Sequence, residues 1–257
     1  VDNADVVSGY QTYPHVDVSA LSRRGIAFCS NLHSDGYSRG AAELTFALML
    51  AALRNLPEQI ASARAGTWQA KVGRGLHGRV LGLYGYGRIA RAVAGFGRAF
   101  GMRILWWGSD EGRARALADG EPVATSRAAF FGAADVISLH QRLTPQTRGT
   151  ITPEDLAQMR PDALLINTAR AGLIAPGALI AALAAGRPGG ATLDVFEGEP
   201  VTDPDDPQIA HPRILPTPHI GFVTEDEFDL QFRDIYEQIN AFAAGTPLNL
   251  ITPDQAE

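Results

Sequence analysis

The sequence predicts an α/β protein built on a doubly wound parallel sheet, with part of a second α/β domain beside it. Three observations predict the sheet. Short β-type runs alternate with helical patterns from Val80 onwards, most of these runs are apolar throughout, and the first leads directly into a glycine-rich turn. Strands buried on both faces lose the polar–apolar alternation of half-exposed strands, and strands that alternate with helices are typical of parallel βαβ units.

The predicted strands and helices follow one another at the spacing that βαβ units need. The helix after Thr152 has a capping hydroxyl, a proline at its first position and acids in its first turn. Thr224 and Glu227 form a second candidate capping box, which opens a final helix to about Ala244. The predicted strands are 80–84, 104–107, 136–139, 164–167 and 214–217, and the predicted helices between them are 88–99, 113–118, 153–158 and 177–185.

Two segments lie outside this pattern. Residues 1–30 resemble the end of another α/β unit, with a strand near 26–28, and residues 40–65 form a long helical stretch that we expect to break near Pro57. The first half of that stretch is apolar nearly all round, so we expect it to be buried on every side, between domains or between subunits. Its large apolar residues are Leu44, Phe46, Leu48, Met49, Leu50 and Leu53.

Composition excludes several classes of protein. Hydrophobic residues make up 46% of the 257 residues, which supports a packed core and argues against disorder. The net charge of −6 and the absence of a long Lys/Arg run argue against a nucleic-acid partner. Residues 44–53, the most apolar stretch, are too short to span a bilayer, and no signal peptide or metal-ligand cluster is visible.

The ends and the single cysteine give two further expectations. Cys29 cannot form an intramolecular disulfide, which suits a reducing compartment, and we expect a cytoplasmic protein in which Cys29 is a small buried apolar residue. Val1 lies inside an apolar, strand-like run, and we expect the natural N-terminus to lie upstream of it.

The glycine-rich turn has the pattern Gly-x-Gly-x-x-Ala between a predicted strand and a predicted helix. Gly85 permits the tight turn, Gly87 lets the backbone approach a pyrophosphate, and Ala90 keeps the helix close to the strand. The amino end of the helix then offers free N–H groups and a positive dipole to the phosphates. Glycines also mark ordinary tight turns, but this context favours a Rossmann-type dinucleotide site.

The end of the second strand bears on the choice of cofactor. An acid that binds the adenosine ribose is expected there, but the position holds Gly108, and Asp110 follows two residues later. Asp110 could reach the ribose through the loop, whereas Ser109 and Arg113 could accept a 2′-phosphate, or the charged pair could be solvated loop residues. Because no arginine occupies position 109 or 110, we expect NAD, with NADP as the alternative.

Three polar residues follow predicted strands in the second half of the chain. Arg170, Glu199 and His219 each lie in the loop after a strand, and the carboxyl ends of parallel strands line the ligand crevice of such sheets. Removing a hydride and a proton from a 2-hydroxy acid needs a base near neutral pKa, a carboxylate that orients it, and a cation that grips the substrate carboxylate. Each residue alone could be a surface ion-pair partner, a solvated acid or a structural histidine, but their joint placement favours a catalytic site.

The sequence resembles the D-isomer-specific 2-hydroxyacid dehydrogenase family through residues 85–90, 100–102, 135–140, 167–174, 193–200 and 217–221. The resemblance implies that Arg170 binds substrate, that Glu199 pairs with His219 as the acid/base, and that Thr168 and Asp194 contact the nicotinamide end. It also implies a flavodoxin-like substrate domain and a homodimer joined through residues 40–65. The cofactor-binding residues expected from the turn and the resemblance together are Gly85, Tyr86, Gly87, Arg88, Ile89, Ser109, Asp110, His140, Thr144, Thr168, Ala169 and Asp194.

The sequence departs from the family pattern in two places. The stretch at 10–14 has no glycine where the family has a Gly-rich substrate loop, and Arg170 is followed by Ala171 before Gly172. Family chains begin earlier, so we assign residues 1–39 to a remnant of the substrate domain. Residues 40–221 are then the dinucleotide-binding domain, and residues 222–257 hold a helix that returns to the substrate domain.

Three functions remain open from the sequence. The first is reversible reduction of a small 2-keto acid, such as glyoxylate or hydroxypyruvate, to the D-2-hydroxy acid. The second is a dinucleotide-sensing corepressor, against which the acidic balance and the lack of a basic arm weigh. The third, formate oxidation, ranks low, because relatives with that activity carry an amide where Glu199 stands.

Overall fold

The computed structural model describes residues 16–30 and 39–252. The chain divides into two compact units, one of Ser38–Phe222 and one that combines Val1–Tyr37 with Val223–Glu257. The substrate-loop stretch at 10–14 lies outside the described residues. None of the described helices is both long and apolar enough to cross a membrane.

The larger unit is a six-stranded, wholly parallel sheet with helices between its strands. The strand order is β2-β1-β3-β4-β5-β6, so β2 is added on one side of β1 and β3 to β6 on the other, and the switch point of the sheet lies between β1 and β3. The strands are β1 Val80–Tyr84, β2 Arg103–Trp107, β3 Val136–Leu139, β4 Leu164–Asn167, β5 Gly190–Leu193 and β6 Ile214–Pro216. The helices are α2 Gly40–Leu53, α3 Leu56–Arg64, α4 Arg88–Ala99, α5 Asp110–Ala118, α6 Arg127–Ala133, α7 Pro153–Gln158, α8 Ala178–Ala184 and α9 Pro207–Ala210, with a 3₁₀ turn at Ala171–Leu173.

Each face of the sheet has its own apolar core. In β1, Leu81 and Leu83 enter one core, while Val80 and Tyr84 enter the other, as the two-residue period of a strand requires. All residues of β1, β3 and β4 are buried. The continuous apolar runs in the sequence therefore correctly indicated strands covered on both sides, and the doubly wound α/β prediction is confirmed.

Helix α2 is buried more fully by its own chain than a surface helix would be. Phe46, Leu48, Met49 and Leu53 are buried, while Leu44 and Leu50 are half-buried. The helix packs against α4, β4 and β5, and the ring of Phe46 contacts those of Phe96 and Phe100. Other elements of the larger unit therefore bury most of the apolar surface of α2.

Several predicted boundaries need correction. The long helix breaks at Asn55, which is left-handed with φ 51°, while Pro57 lies in the first turn of α3. Helix α5 begins at Asp110 instead of Arg113, since the side chain of Ser109 caps it. Helices α6 and α9 were not among the predicted elements, and strand β5 was implied only by the placement of Glu199 after a strand, without bounds of its own.

In the smaller unit, the described elements are α1 Val18–Arg23 and α10 Glu225–Ala243. Thr224 caps α10 by accepting the N–H of Glu227 at 3.2 Å, as its sequence predicted. The strand predicted near 26–28 is wrong, because these residues are not assigned as a strand, and next to them an isolated antiparallel bridge joins Cys29 to Leu250.

Candidate functional site

The glycine-rich turn after β1 has the shape of a phosphate cradle. Gly85 has φ 113°, and a Cβ at this position would lie 2.7 Å from the carbonyl oxygen of His140, so no side chain fits. A Cβ at Gly87 would meet nothing within 4 Å. Gly87 is also the N-cap of the 12-residue helix α4 and makes no side-chain cap, which leaves N–H groups at this helix end for a ligand. The neighbouring Arg88 is exposed, and Ile89 is half-buried against the core.

Tyr86, between the two glycines, anchors the turn. Its ring meets Trp106 edge-on with centroids 4.7 Å apart, and its hydroxyl donates to Oδ2 of Asp119 at 2.5 Å. Burial, with the hydrogen bond to the Asp119 carboxylate, raises the pKa of Tyr86 to about 12. Tyr86 therefore contributes its backbone to the crevice, because its hydroxyl is engaged elsewhere.

The end of β2 explains why a glycine stands where an acid was expected. A Cβ at Gly108 would lie 3.3 Å from both Cα and N of Gly85, so the two turns touch backbone to backbone. Ser109 caps α5 by accepting the N–H of Gly112 at 3.2 Å. Asp110 has a 96% exposed side chain and pairs with Arg113 at 2.6 Å.

Arg113 is fixed beside the carboxyl end of β2. Besides its ion pair with Asp110, it donates to the carbonyl of Gly108 at 2.9 Å. Its guanidinium carbon lies 4.2 Å from the centroid of the Trp107 ring. A cation is thus held beside β2, at the opposite edge of the sheet from β6 and His219, although Asp110 already neutralises it.

The loop after β3 is closed by its own side chains. The N–H of His140 donates to the carbonyl of Tyr84 at 2.8 Å, and Nε2 of His140 lies 2.8 Å from the hydroxyl of Ser138. Burial lowers the pKa of His140 to about 4, so the ring is neutral at physiological pH. Further along, the hydroxyl of Thr147 accepts the N–H of Thr144 at 2.7 Å, and the hydroxyl of Thr144 accepts the N–H of Thr147 at 3.3 Å.

Beyond β4, the turn that carries Arg170 is held by the buried side chain of Asn167. Its oxygen accepts the N–H of Ala169 at 3.1 Å, and its amide donates to the carbonyl of Arg170 at 2.9 Å. Arg170 itself is exposed and donates to the carbonyl of Ala169 at 2.7 Å. Gly172 follows Ala171 in this turn, and a Cβ at Gly172 would lie 2.8 Å from Nη1 of Arg148, the end of a flexible side chain.

Thr168 keeps acceptor capacity for a ligand. Its hydroxyl lies 2.6 Å from that of Thr45, and the Thr45 hydroxyl also lies 2.7 Å from the carbonyl of Ala41. Because Thr45 has one hydroxyl proton and a carbonyl can only accept, that proton goes to Ala41, and Thr168 donates to Thr45. Both lone pairs of the Thr168 hydroxyl oxygen are then left to accept from a ligand N–H.

Asp194, directly after β5, organises the loop of His219. Its fully buried carboxylate accepts the Thr217 hydroxyl at 2.6 Å and the N–H groups of Ile220 and Gly221 at 2.9 Å each. Between these donors His219 adopts φ 54°, a left-handed conformation that is unfavourable for a non-glycine residue. These three bonds hold His219 in that conformation.

The predicted acid–base pair is in contact. Nδ1 of His219 lies 2.6 Å from Oε2 of Glu199, and both side chains are about one-third exposed. A carboxylate at Nδ1 leaves Nε2 as the nitrogen that exchanges a proton with a ligand. Arg170 lies at the same sheet edge, three residues after β4 as His219 lies three after β6, but among the described contacts it forms no bond with Glu199 or His219.

Sequence reasoning missed three residues of this edge. Asn167, Thr45 and Phe222 contact the predicted residues, and Phe222 meets the His219 ring at 5.7 Å. Only Asn167 had a signal in the sequence, as a polar residue that ends a buried strand just before Arg170. Among the described residues no group of three or more His, Cys, Asp or Glu side chains could hold a metal ion.

The family model for the "D-isomer specific 2-hydroxyacid dehydrogenase, NAD binding domain" matches residues 46–221. The chain belongs to this family. The larger unit is accordingly an NAD-binding domain, and the open space at Gly87 beside the amino end of α4 fits the pyrophosphate of such a cofactor.

Other members of the family align along most of the chain. A D-3-phosphoglycerate dehydrogenase of Methanocaldococcus jannaschii is 37% identical over 233 residues, which are 90% of this chain and 44% of that protein. A glyoxylate reductase of Thermococcus litoralis is 34% identical over 256 residues, 94% of this chain and 75% of that protein. The crystal structure of a putative D-3-phosphoglycerate dehydrogenase oxidoreductase from Ralstonia solanacearum superposes with TM-score 0.86 at 38% identity, over 95% of this chain and 74% of that one. The chain thus spans less than half the length of the phosphoglycerate dehydrogenase from M. jannaschii.

Proposed function

We propose that the chain is the cofactor-binding and proton-transferring part of an NAD-dependent dehydrogenase that interconverts small D-2-hydroxy acids and 2-oxo acids. The observation that carries the proposal is the 2.6 Å contact of His219 with Glu199 at the carboxyl edge of the NAD-binding sheet. Glyoxylate and hydroxypyruvate are the simplest candidate substrates of this class.

The cofactor would lie along the carboxyl edge of the sheet. Its pyrophosphate would meet the backbone at 85–89, its adenosine the region of Ser109 and Asp110, and its nicotinamide ribose the loop that carries His140 and Thr144. The acceptor lone pair of Thr168 and the backbone of Ala169 would meet the nicotinamide amide. When bound, the reduced cofactor supplies a hydride to the carbonyl carbon of the substrate.

Residues of the chain bind the substrate and transfer the proton. Arg170 binds the substrate carboxylate through two parallel hydrogen bonds and orients the carbonyl. Protonated His219 gives the proton on Nε2 to the carbonyl oxygen as the hydride reaches the carbon, and Glu199 stabilises the charged imidazole before transfer. Asp194, whose carboxylate accepts three bonds, holds the loop of His219, and its position after β5 also suits the predicted contact with the nicotinamide end.

Kinetics on the full-length protein test this proposal. We expect turnover of a panel of 2-oxo acids with NADH, and His219→Ala should lower kcat by about 10²–10⁴-fold. Arg170→Ala should raise KM strongly and also lower kcat, because the carbonyl loses its orientation. Both variants should still bind NADH in a fluorescence titration. Near-normal turnover by His219→Ala would contradict the proposal, and NADH binding without turnover of any 2-oxo acid would favour the corepressor alternative.

We also propose that the protein is a homodimer, with the smaller unit belonging to the substrate domain. The support for a dimer is a set of apolar side chains that the single chain leaves in water along α3 and the segment after it. Val72 is 97% exposed and Trp68 75% exposed, and Leu56 and Ile60 are exposed beside them. Burying such side chains stabilises an interface by about 1.5–3 kcal/mol each. Sedimentation that shows a stable monomer at micromolar concentration would contradict a dimer.

A further inference from the structure

The last residues of the six strands lie in one row across the sheet. The register pairs the last residue of each strand with the last residue of its neighbour, so the row crosses the sheet without a step. In sheet order from β2 to β6, its members are Trp107, Tyr84, Leu139, Asn167, Leu193 and Pro216. The loops at the carboxyl edge therefore all begin at the same level, and positions counted from this row can be compared between neighbouring strands.

The residues three positions beyond this row include most of the groups proposed for the cofactor and the substrate. In sheet order they are Asp110 after β2, Gly87 after β1, Arg142 after β3, Arg170 after β4, Phe196 after β5 and His219 after β6. Because β3 lies between β1 and β4, the position of Arg142 falls between the cradle at Gly87 and the proposed substrate arginine, Arg170.

The loop that carries Arg142 is held against the glycine-rich turn. A Cβ at Gly85 would lie 2.7 Å from the carbonyl oxygen of His140 and 3.1 Å from the nitrogen of Gln141, so the backbones of the turn and the loop touch. The carbonyl of Arg142 itself accepts the hydroxyl of Thr147 at 2.6 Å. The backbone at position 142 is therefore fixed close to the turn, and the residue is exposed.

A bound dinucleotide needs positive charge at this point of the sheet. Its pyrophosphate is negatively charged on both phosphates and crosses a doubly wound sheet at the switch point, which lies between β1 and β3. The amino end of α4 offers N–H groups and roughly half a unit of positive charge. A guanidinium adds a full charge and two parallel N–H donors that match phosphate oxygens. Neighbouring strands lie about 4.8 Å apart, which is less than the length of an arginine side chain.

We propose that Arg142 is a cofactor-binding residue that pairs with the pyrophosphate of NAD across the switch point of the sheet. The inference rests on the path of the cofactor in the proposed function, and it adds a charged side chain to the backbone N–H groups of the cradle. The pairing involves neither the nicotinamide nor the substrate. It should therefore strengthen the binding of any ligand that contains the adenosine and the pyrophosphate.

Ligands that differ in their phosphates test the pairing. We would measure dissociation constants of the full-length protein for NADH by fluorescence, and for ADP-ribose and adenosine by competition with NADH. Arg142→Gln should weaken the binding of NADH and ADP-ribose by about tenfold, the value of one charged hydrogen bond, and should leave adenosine binding unchanged. Arg142→Lys, which keeps the charge but loses the planar fork, should recover part of the loss. Arg103→Gln, which removes an exposed arginine at the amino end of β2, is the matched control and should bind all of these ligands as wild type does.

The outcomes separate this inference from the proposed function. Unchanged binding of ADP-ribose by Arg142→Gln overturns the pairing, and so does an equal loss for adenosine and ADP-ribose. A raised KM for 2-oxo acids with unchanged ADP-ribose binding assigns Arg142 to the substrate, which also overturns it. Weaker ADP-ribose binding by Arg142→Gln, in a protein that turns over no 2-oxo acid, supports the pairing and contradicts the dehydrogenase proposal. Melting temperatures show whether each variant is folded, and Arg142→Lys supplies the comparison if Arg142→Gln is not.

Discussion

Nδ1 of His219 lies 2.6 Å from one oxygen of Glu199, and the other oxygen of that carboxylate accepts the N–H of Phe196 at 2.7 Å. The carboxylate is therefore fixed at both ends and directs Nε2 of the imidazole towards the crevice. It also supplies the negative charge that stabilises a protonated ring.

Glu199→Gln should move the pH dependence of 2-oxo acid reduction. The glutamine keeps the shape of the side chain but removes the charge, so the protonated imidazole that reduction needs is less stable. We expect the high-pH limb of kcat to shift to lower pH, with a lower maximum, in steady-state rates measured across pH. Glu197→Gln, which removes an exposed carboxylate paired with Arg148, is the matched control. An unmoved profile in Glu199→Gln would show that Glu199 is not the partner of His219.

The end of β2 should determine which nicotinamide cofactor is used. Arg113 is already occupied by Asp110, Gly108 and the Trp107 ring, so we expect NADH to be preferred over NADPH. Ser109→Arg should raise the ratio of kcat/KM for NADPH to that for NADH, because the new cation can pair with a 2′-phosphate. Ser109→Ala loses the same helix cap without adding charge, and it should leave the ratio unchanged. A wild-type enzyme that is more efficient with NADPH would contradict this assignment.

The half-buried ion pair of Arg127 with Asp155 should contribute more to stability than the surface pairs do. Arg127 donates twice to the buried Asp155, at 2.6 Å each, and once to the hydroxyl of Tyr84 at 2.7 Å. The hydrogen bond to Asp155 raises the pKa of Arg127. Arg127→Met leaves the carboxylate buried without its cation and should lower the free energy of unfolding by about 2 kcal/mol, given that the guanidinium is partly exposed.

Chemical denaturation compares that variant with Arg148→Met, which breaks the exposed pair with Glu197. The control should cost at most about 1 kcal/mol. Equal losses in the two variants would refute a special role for the Arg127 network.

The neutral His140 should make the fold sensitive to mild acid. Its pKa of about 4 in the folded protein lies below the ordinary histidine value of 6.5, so between these values the unfolded chain takes up a proton that the folded chain does not. Stability should therefore fall as pH drops from about 6.5 towards 4, by no more than roughly 3 kcal/mol from this group. Denaturation at several pH values should show a smaller loss in His140→Gln than in wild type or in His77→Gln, an exposed-histidine control. Parallel pH dependence in all three proteins would rule out this origin.

The sequence indicated those elements that carry their own local signals. Strands β1, β3 and β4 are fully buried and are apolar apart from Ser138 in β3 and Asn167 at the end of β4, and the predicted capping hydroxyl of Thr152 caps α7 in the structure. Strand β5 has only Gly-Ala-Thr-Leu, and it exists because β4 and β6 pair with it on either side. The segment near 26–28 shows the converse, since its β-type residues are not assigned as a strand and the described pairing beside them is an isolated bridge at Cys29.

The residues of the site also fall into those that a local sequence pattern predicts and those that it does not. Glu199 and His219 were predictable as a pair, because both follow strands and have complementary chemistry. The contact of Thr45 with Thr168 spans 123 positions of sequence, and the ring of Phe222 meets His219 only because Asp194 folds their loop. Such contacts depend on tertiary structure, and no local pattern contains them.

The three hydrogen bonds that Asp194 accepts connect the loop of His219 to β6, a strand at one edge of the sheet. Strand β6 has three residues and lies at the edge, where β5 is its one neighbour, and the N–H of Thr217 continues that pairing to the carbonyl of Leu193 at 2.8 Å. Local opening of this edge would release His219 while the cradle at β1, β2 and β3 stays intact at the other side of the sheet. Such a partly opened species would still bind the adenosine half of the cofactor but would no longer transfer protons. Amide hydrogen exchange should therefore be faster at β6 than at β1, and heat should abolish activity before it abolishes nucleotide binding.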